Sequence, residues 1–365
     1  MIIEVQNKYH LNQFVYFIQR LYKDYPHYVF PIFKSQMREL KEEVLISKRY
    51  TAILSSHNGE IVGRLLFTFQ FSEKHQKNIC YFSFFDVIDD LSVAKELFDY
   101  MDKTMLSAGI YYSEGTFSPY DPDTRRGILI DGFEDDPMLL TSYNAPYYSH
   151  LIEKIGFQKA YDTHSITADF TPDNEKRLNA LASFFDRHYD IRVDDLNMKK
   201  LDHEIHDIHK ILLIATTDLN YQEAPSIEMI EKVARNMKML INPKLIKIAR
   251  ENKTNEPIGF CLILPDFNQI LKLTQGKLKP IVFLKNRGKI NRARATMQYI
   301  IPKYQSTGLI GYMYKYVFES FKSMGITYFE GGTILEDNLK SLHAFDKFGG
   351  RIIKTFRIYG KEITV

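Results

Sequence analysis

The stretch Arg292-Ala293-Arg294-Ala295-Thr296-Met297-Gln298-Tyr299-Ile300-Ile301-Pro302-Lys303-Tyr304-Gln305-Ser306-Thr307-Gly308-Leu309-Ile310-Gly311 decides the fold. Residues Arg292 to Pro302 have the composition of a β-strand. A glycine-containing turn follows, and then an amphipathic helix to Met324. A strand that ends this way aims the free backbone N–H groups of the turn, and the positive end of the helix, at one point. A pyrophosphate can sit there.

Working outward, the chain contains the same order of landmarks twice. Glu60 to Phe67, with Gly63, is echoed by Glu256 to Ile263, with Gly259, at an offset of 196. A helix from Val93 to Gly109 and a strand to Gly115 match Tyr312 to Gly325 and a strand to Gly331, at an offset of 216. Asn144 with Gly156 matches Asn338 with Gly349, each pair enclosing a helix stopped by glycine. The changing offset implies an insertion of 20 residues in the second half before its helix. It implies another of about 22 in the first half between Gly115 and Asn144, more functional loop than linker at that size. That first-half insert, with Phe117 to Asp123 and Asp131 to Pro137, is acidic and aromatic. A Pro/Asn/Asp cluster at Thr171-Pro172-Asp173-Asn174, after a strand from Ser165 to Phe170, divides the chain into 1–172 and 173–365.

Composition limits the alternatives. At about 150 residues per domain, 365 residues make two domains. Apolar residues are 45% and charged residues 25%, as in ordinary globular chains. Lys plus Arg number 48 against 45 Asp plus Glu, so no nucleic-acid partner is expected. Cys80 and Cys261 alone make neither a disulfide framework nor a zinc set. His203, His206 and His209 stand among Lys199, Lys200, Asp202, Glu204 and Asp207, which reads as a solvated helix face, so no metal is expected. The first residues carry no export signal, and no apolar run approaches the roughly 20 residues of a membrane helix. A cytoplasmic protein with no membrane partner is the expectation.

The segment Pro302-Lys303-Tyr304-Gln305-Ser306-Thr307-Gly308 before a helix resembles the coenzyme-A loop of the GNAT superfamily of acyl-CoA-dependent N-acyltransferases. Downstream, Glu330-Gly331-Gly332, then Glu336-Asp337-Asn338, then Phe345 to Arg351 and a last strand resemble the closing segment of that family. With Gly63 to Phe157, the resemblance covers about two thirds of the chain. It implies an α/β (α+β) fold of two tandem GNAT-like domains, each a mixed, mostly antiparallel sheet flanked by helices. Acetyl-CoA or another acyl-CoA would be the co-substrate, and the acceptor a small-molecule or peptide amine.

Carried onto this sequence, the resemblance places the coenzyme against Tyr299, Ile300, Ile301, Gln305, Ser306, Thr307, Gly308, Leu309, Ile310, Gly311 and the N-cap Asn338. A backbone N–H within Gln298 to Ile301 would polarise the thioester carbonyl. Lys285, Arg287, Lys289, Arg292 and Arg294 would be available to a terminal phosphate. The family's loop has Gly or Ala where this chain has Ile310. Its proton-donating Tyr is replaced by Phe345, and by Ile152 in the first half, leaving Tyr304, Tyr312 or water for the departing thiolate. Glu330 is the first candidate for the general base, ahead of Glu336 and His343.

In the first half, Phe85-Asp86-Val87-Ile88-Asp89-Asp90-Leu91-Ser92 occupies the place of the coenzyme loop. Asp and Ser at a helix start satisfy its N–H groups internally and repel phosphate, so this half is expected to lack a coenzyme site. Its acidic insert would cover the acceptor groove. A helix from Glu228 to Leu240, with Met229, Ile230, Val233, Met237 and Leu240 on one side, is expected to pack on the second sheet. Two other functions fit the same motifs: a non-catalytic acyl-CoA-binding or protein-interaction scaffold, and an aminoacyl-tRNA-dependent transferase, which the small net charge disfavours.

Overall fold

The computed structural model describes residues 1–116, 126–216, 226–237 and 241–363, with the side chains at 232, 233, 236 and 237 outside that description. The residues Phe117 to Asp123 of the first-half insert, and Leu240, lie outside the described residues.

The first half runs β1 (Ile2–Glu4), α1 (Lys8–Leu21), α2 (Phe33–Leu40), β2 (Thr51–His57), β3 (Glu60–Ser72) and β4 (Lys77–Val87). It continues with α3 (Leu91–Ser107), β5 (Tyr112–Gly115), β6 (Ile128–Asp131), α4 (Tyr148–Lys154) and β7 (Gln158–Thr167). The second half begins with α5 (Pro172–His188), β8 (Ile191–Asp195), α6 (Leu201–Ala215), α7 (Ile227–Met237), β9 (Ile246–Glu251) and β10 (Pro257–Pro265). It ends with α8 (Asn268–Thr274), α9 (Pro280–Asn286), β11 (Arg292–Ile300), α10 (Leu309–Met324), β12 (Tyr328–Leu335), α11 (Leu339–Leu342) and β13 (Arg351–Glu362). The landmarks of the repeat fall on equivalent elements: Gly63 and Gly259 on β3 and β10, and the two glycine-stopped helices on α3 and α10.

All the strands join one sheet, in the order β1-β2-β3-β4-β5-β13-β7-β12-β11-β10-β9-β8, with β6 added to β13. Among the described strands, the parallel pairs are β4 with β5 and β11 with β12, one at the same place in each half. The centre of the sheet is where the halves meet. β13, the last strand of the second half, lies between β5 and β7 of the first, and β7 pairs in turn with β12 of the second. Each half therefore completes its sheet with the other's last strand. The chain crosses over at Thr171, whose hydroxyl caps α5 by accepting the Asn174 N–H at 3.1 Å. The last strand of the first half covers Gln158–Thr167, earlier than its sequence reading of Ser165 to Phe170. Phe170 instead packs edge-on against Phe318 of α10, at 4.8 Å between ring centres.

Two faces of the second half matter for function. On one face, α5 and α10 cover Cys261, Ile263, Ala293, Ala295 and Phe329. On the other, α6 covers Ile246, Ile248 and Phe260, with Leu262, Met297 and Tyr299 packed at the margin. α7 joins this second face through Ile230, while Met229 is exposed. The metal-like histidines are on the outer side of α6, with His203 against Asp207 and His206 against the Asp202 carbonyl.

Candidate functional site

The site begins with a break in strand pairing. β11 pairs with β12 only from Arg292 to Ala295, opposite Tyr328 to Gly331. Beyond that point β12 continues against β7, through Ile334 and Leu335, and β11 continues against β10 alone. The strands diverge and leave a wedge between them.

At the apex of the wedge, Leu262 and Ile263 on β10 face Met297 and Ala295, so Thr296 is an extra, bulged residue. The bulge reverses the side-chain alternation. Ala293 and Ala295 face α10, while Met297 and Tyr299 face the opposite side. The Ile301 N–H bonds to Ile258 on β10, at 3.0 Å, so alternation turns the N–H groups of Gln298 and Ile300 into the wedge.

The turn after β11 is built from short local bonds. Tyr304 N–H reaches the Ile301 carbonyl, Gln305 N–H the Pro302 carbonyl, and Thr307 Oγ1 the Tyr304 carbonyl. Ser306 at φ 61° and Gly308 at φ 95° turn the backbone inside out, a conformation that suits glycine. Among the described residues, the N–H groups of Ser306, Thr307, Gly308 and Ile310 have no hydrogen-bond partner, and Gly308 has no side chain to cap α10. This uncapped helix start can accept an anion.

α3, the equivalent helix, starts differently. Asp90 caps it, accepting the Ser92 N–H at 2.8 Å. The first-half notch is also filled. Tyr148 Oη accepts the Val87 N–H at 3.0 Å and donates to Tyr22 Oη, Tyr22 donates its one proton to Asp86, and Arg64 pairs with Asp86.

In the second half the phenol near the strand end comes from a different helix and bonds a side chain, not a backbone N–H. Tyr314 of α10, fully buried, donates to Gln298 Oε1 at 2.9 Å and packs edge-on against Phe345, with 4.9 Å between ring centres. Burial pushes its pKa well above the usual tyrosine value, so the hydroxyl keeps its proton. Tyr314 also lines a narrow apolar cleft with Ile310, Phe318, Ala344, Phe345 and Phe348. The sequence reading missed this residue: in Tyr312-Met313-Tyr314-Lys315-Tyr316 each aromatic reads equally well as core.

The other expected site residues divide as follows. Ile300, Gln305, Ser306, Thr307 and Gly308 line the wedge and turn, Gln305 Nε2 holding the Ile300 carbonyl at 3.1 Å. Tyr299 is on the opposite face, stacked on Phe260, and Ile301 packs beside it. Leu309 is core. Gly311 does not face the turn: a Cβ there would meet Leu181 Cδ2 of α5 at 2.5 Å, so this glycine permits helix–helix approach. Asn338 is an N-cap, accepting the Ser341 N–H at 3.2 Å. Tyr312 is bonded to Asp186, and His343 to Asp346.

The acid candidates all have structural partners. Tyr304 Oη is held by Glu251 at the end of β9, which fastens the turn. Glu336 joins β12 to β7 through Lys159 and the Asp162 N–H. Glu330 is 1% exposed and bonded to Lys354 Nζ at 2.6 Å and Tyr328 Oη at 3.0 Å, with Arg292 at 3.5 Å. Glu114, at the equivalent position of the first half, repeats the bond to the Tyr two residues earlier. Glu330 thus shares its tyrosine bond with the first half, while its second carboxylate oxygen is buried without a hydrogen-bond partner.

Arg292 and Arg294 are likewise turned inward, away from any terminal phosphate. Arg292 faces Asp266 and Glu330, and Arg294 holds the carbonyls of Leu139 and Gly332, both at 2.9 Å. A strand arginine reads as solvated in sequence, but the first-half insert covers this face. Asp136 pairs with Lys272 at 2.6 Å, and the Leu139 N–H donates to Asp266 at 2.9 Å.

No protein-family model matches the chain. Two curated proteins align with it nearly end to end. One is a bacterial ceramide synthase of Caulobacter vibrioides, 25% identical over 99% of this chain and 97% of that protein. The other is protein YghO of Escherichia coli K12, 24% identical over 98% of this chain and 94% of that protein. Among solved structures, a tandem GNAT protein from the clavulanic acid biosynthesis pathway superposes with a TM-score of 0.59 at 9% identity, covering 100% of this chain and 99% of that one. A GCN5-related glucosamine N-acetyltransferase region in a fungal multi-domain β-N-acetylglucosaminidase gives 0.59 at 12% identity, and this chain spans 38% of it. The fold is therefore the tandem GNAT acyltransferase fold, as the sequence motifs indicated. The similarity to the ceramide synthase concerns the chain as a whole, both halves included.

Proposed function

We propose that this protein transfers a long acyl chain from coenzyme A to the amine of a long-chain amino alcohol, using the second half as its active site. The observation that carries acyl transfer is the wedge, with inward N–H groups at Gln298 and Ile300, a protonated phenol at Tyr314 and an uncapped helix start. A pyrophosphate at that helix start and a thioester laid along the wedge would use each of these features. The long-chain acceptor rests on the end-to-end likeness to a bacterial ceramide synthase, a ceramide being the amide of such an amino alcohol. The margin formed by Leu262, Met297 and Tyr299 suits an alkyl chain.

In this reading the neutral amine attacks the thioester carbon, forming the C–N bond and moving the carbonyl pair onto oxygen. The wedge N–H groups meet that charge. When the C–S bond breaks, Tyr314 offers its hydrogen bond to the departing sulfur. The proton released by nitrogen, passed through water, balances the one the thiolate takes. The first half holds no coenzyme, because Tyr148 occupies its notch, and its insert stands over the acceptor face.

The test is thiol release with acetyl-, octanoyl- and palmitoyl-CoA against a long-chain amino alcohol and a panel of small amines, with mass spectrometry of the amide. The expected product is the long-chain amide, favoured by longer acyl donors. Turnover on small amines with acetyl-CoA alone would refute the acceptor assignment. Coenzyme binding without turnover on any amine would favour the non-catalytic scaffold.

A further inference from the structure

The 20 residues that the second half gains before its cofactor strand build α8 and α9. These helices are fixed from beneath: Phe267, Ile270, Val282, Phe283 and Ile290 pack on Leu139 and Leu264. Their outer side is apolar. Leu273 (61%), Leu278 (63%), Ile281 (69%) and Leu284 (61%) are among the most exposed large hydrophobic residues of the described chain.

Apart from Asp136, which pairs with Lys272, and Asp266 just before α8, the charges of this segment have one sign. Between Phe267 and Phe318 there is no Asp or Glu, while Lys and Arg number 10. Of these, Lys277, Lys279, Lys285, Arg287 and Lys289 are exposed around the apolar residues, and none is in an ion pair among the described residues. In a chain whose net charge is only +3, this is a concentrated basic patch. Solvent-facing leucine and isoleucine ringed by unpaired lysine and arginine match a bilayer, with acyl chains below and phosphate head groups above.

We propose that α8 and α9 dock the protein on the surface of an anionic lipid bilayer. The inference rests on the long-chain acceptor proposed above, and the two connect in space. β11 leads from this patch to the bulge at Thr296 in four residue steps, about 13 Å. A lipid amine leaving the bilayer would have a short path along the sheet to the wedge. No helix among the described residues is long and apolar enough to cross a membrane.

The experiment is flotation of the full chain with vesicles of phosphatidylcholine alone, or with about 30 mol% phosphatidylglycerol, at low and high salt. Two variants accompany the wild type: Leu278→Ser/Ile281→Ser/Leu284→Ser and Lys277→Glu/Lys279→Glu. All the changed side chains are exposed, and a thermal melt checks folding. The expected result is binding to the anionic vesicles alone, weakened by salt and reduced at least about tenfold in either variant. Failure of the folded wild type to float, variants that bind as it does, or a dimer that the serine variant dissociates would overturn the proposal. Thiol release without vesicles, on a soluble short-chain amino alcohol, keeps the two readings apart. The variants should retain it if the acyltransferase assignment holds, whatever flotation shows.

Discussion

Replacing Gly308 with Ala and, separately, with Asp distinguishes an anion site at α10 from an ordinary helix start. Gly308 sits at φ 95°, where any L side chain is strained, and a Cβ would meet Leu181 Cδ1 at 3.3 Å and Phe185 at 3.5 Å. Both substitutions therefore lose roughly 1–2 kcal/mol of stability through the left-handed backbone. Asp recovers about 1 kcal/mol of that by capping the free N–H groups, as Asp90 does on α3. Without ligand, Gly308→Asp should melt above Gly308→Ala. Toward coenzyme A the order reverses, because the carboxylate occupies the N–H groups and repels phosphate, a further loss of about 1.4 kcal/mol, or tenfold. Calorimetric titration with coenzyme A, paired with thermal melts, reads both orders. The parallel change Asp90→Gly should cost at most about 1 kcal/mol of stability and leave coenzyme affinity unaltered. Affinity that merely follows stability through the series, or that falls equally in Asp90→Gly, would refute the reasoning.

Tyr314→Phe deletes the bond to Gln298 and should cost about 1 kcal/mol of stability. It should lower thiol release about 10²-fold with coenzyme affinity retained, and unchanged turnover would remove Tyr314 from the mechanism. Glu330→Gln leaves Lys354 buried and unpaired, so urea titration should show a loss of about 3–5 kcal/mol. A stable variant that is inactive would instead make Glu330 the general base. Burial pushes Asp266 up from 3.8 to about 6. The folded state therefore binds its proton more tightly than the unfolded state, and Asp266's contribution falls as pH rises from about 4 to about 6. From pH 5 to 7 the urea midpoint should fall less, or rise more, in Asp266→Asn than in the wild type, and an identical change in both would contradict the shift.

The repeat was legible because glycines mark it: Gly63 with Gly259, and the stops after α3 and α10, need special backbone or close packing in both halves. The exchange of β7 and β13 was not, since local patterning sets which residues form a strand but not which edge they join. The bulge at Thr296 was hidden for a related reason: Ala293, Ala295, Met297 and Tyr299 alternate regularly with Arg292, Arg294, Thr296 and Gln298, so the sequence reads as one unbroken face although the bulge reverses it midway. Gly311 misled because a glycine near a helix start serves equally to admit a phosphate or a neighbouring helix, and only the position of Leu181 decides. Arg292 and Arg294 looked available to a terminal phosphate. Their burial depends on the 136–139 segment, more than 150 residues away in sequence from the two arginines.

The most direct test of the central claim is a crystal structure with palmitoyl-CoA bound. The account predicts coenzyme in the second half, with its pyrophosphate on the N–H groups from Ser306 to Ile310 and its thioester carbonyl against the Gln298 or Ile300 N–H. The thioester sulfur should lie within hydrogen-bond reach of Tyr314. Coenzyme between β4 and β5, with Tyr148 displaced, would contradict it.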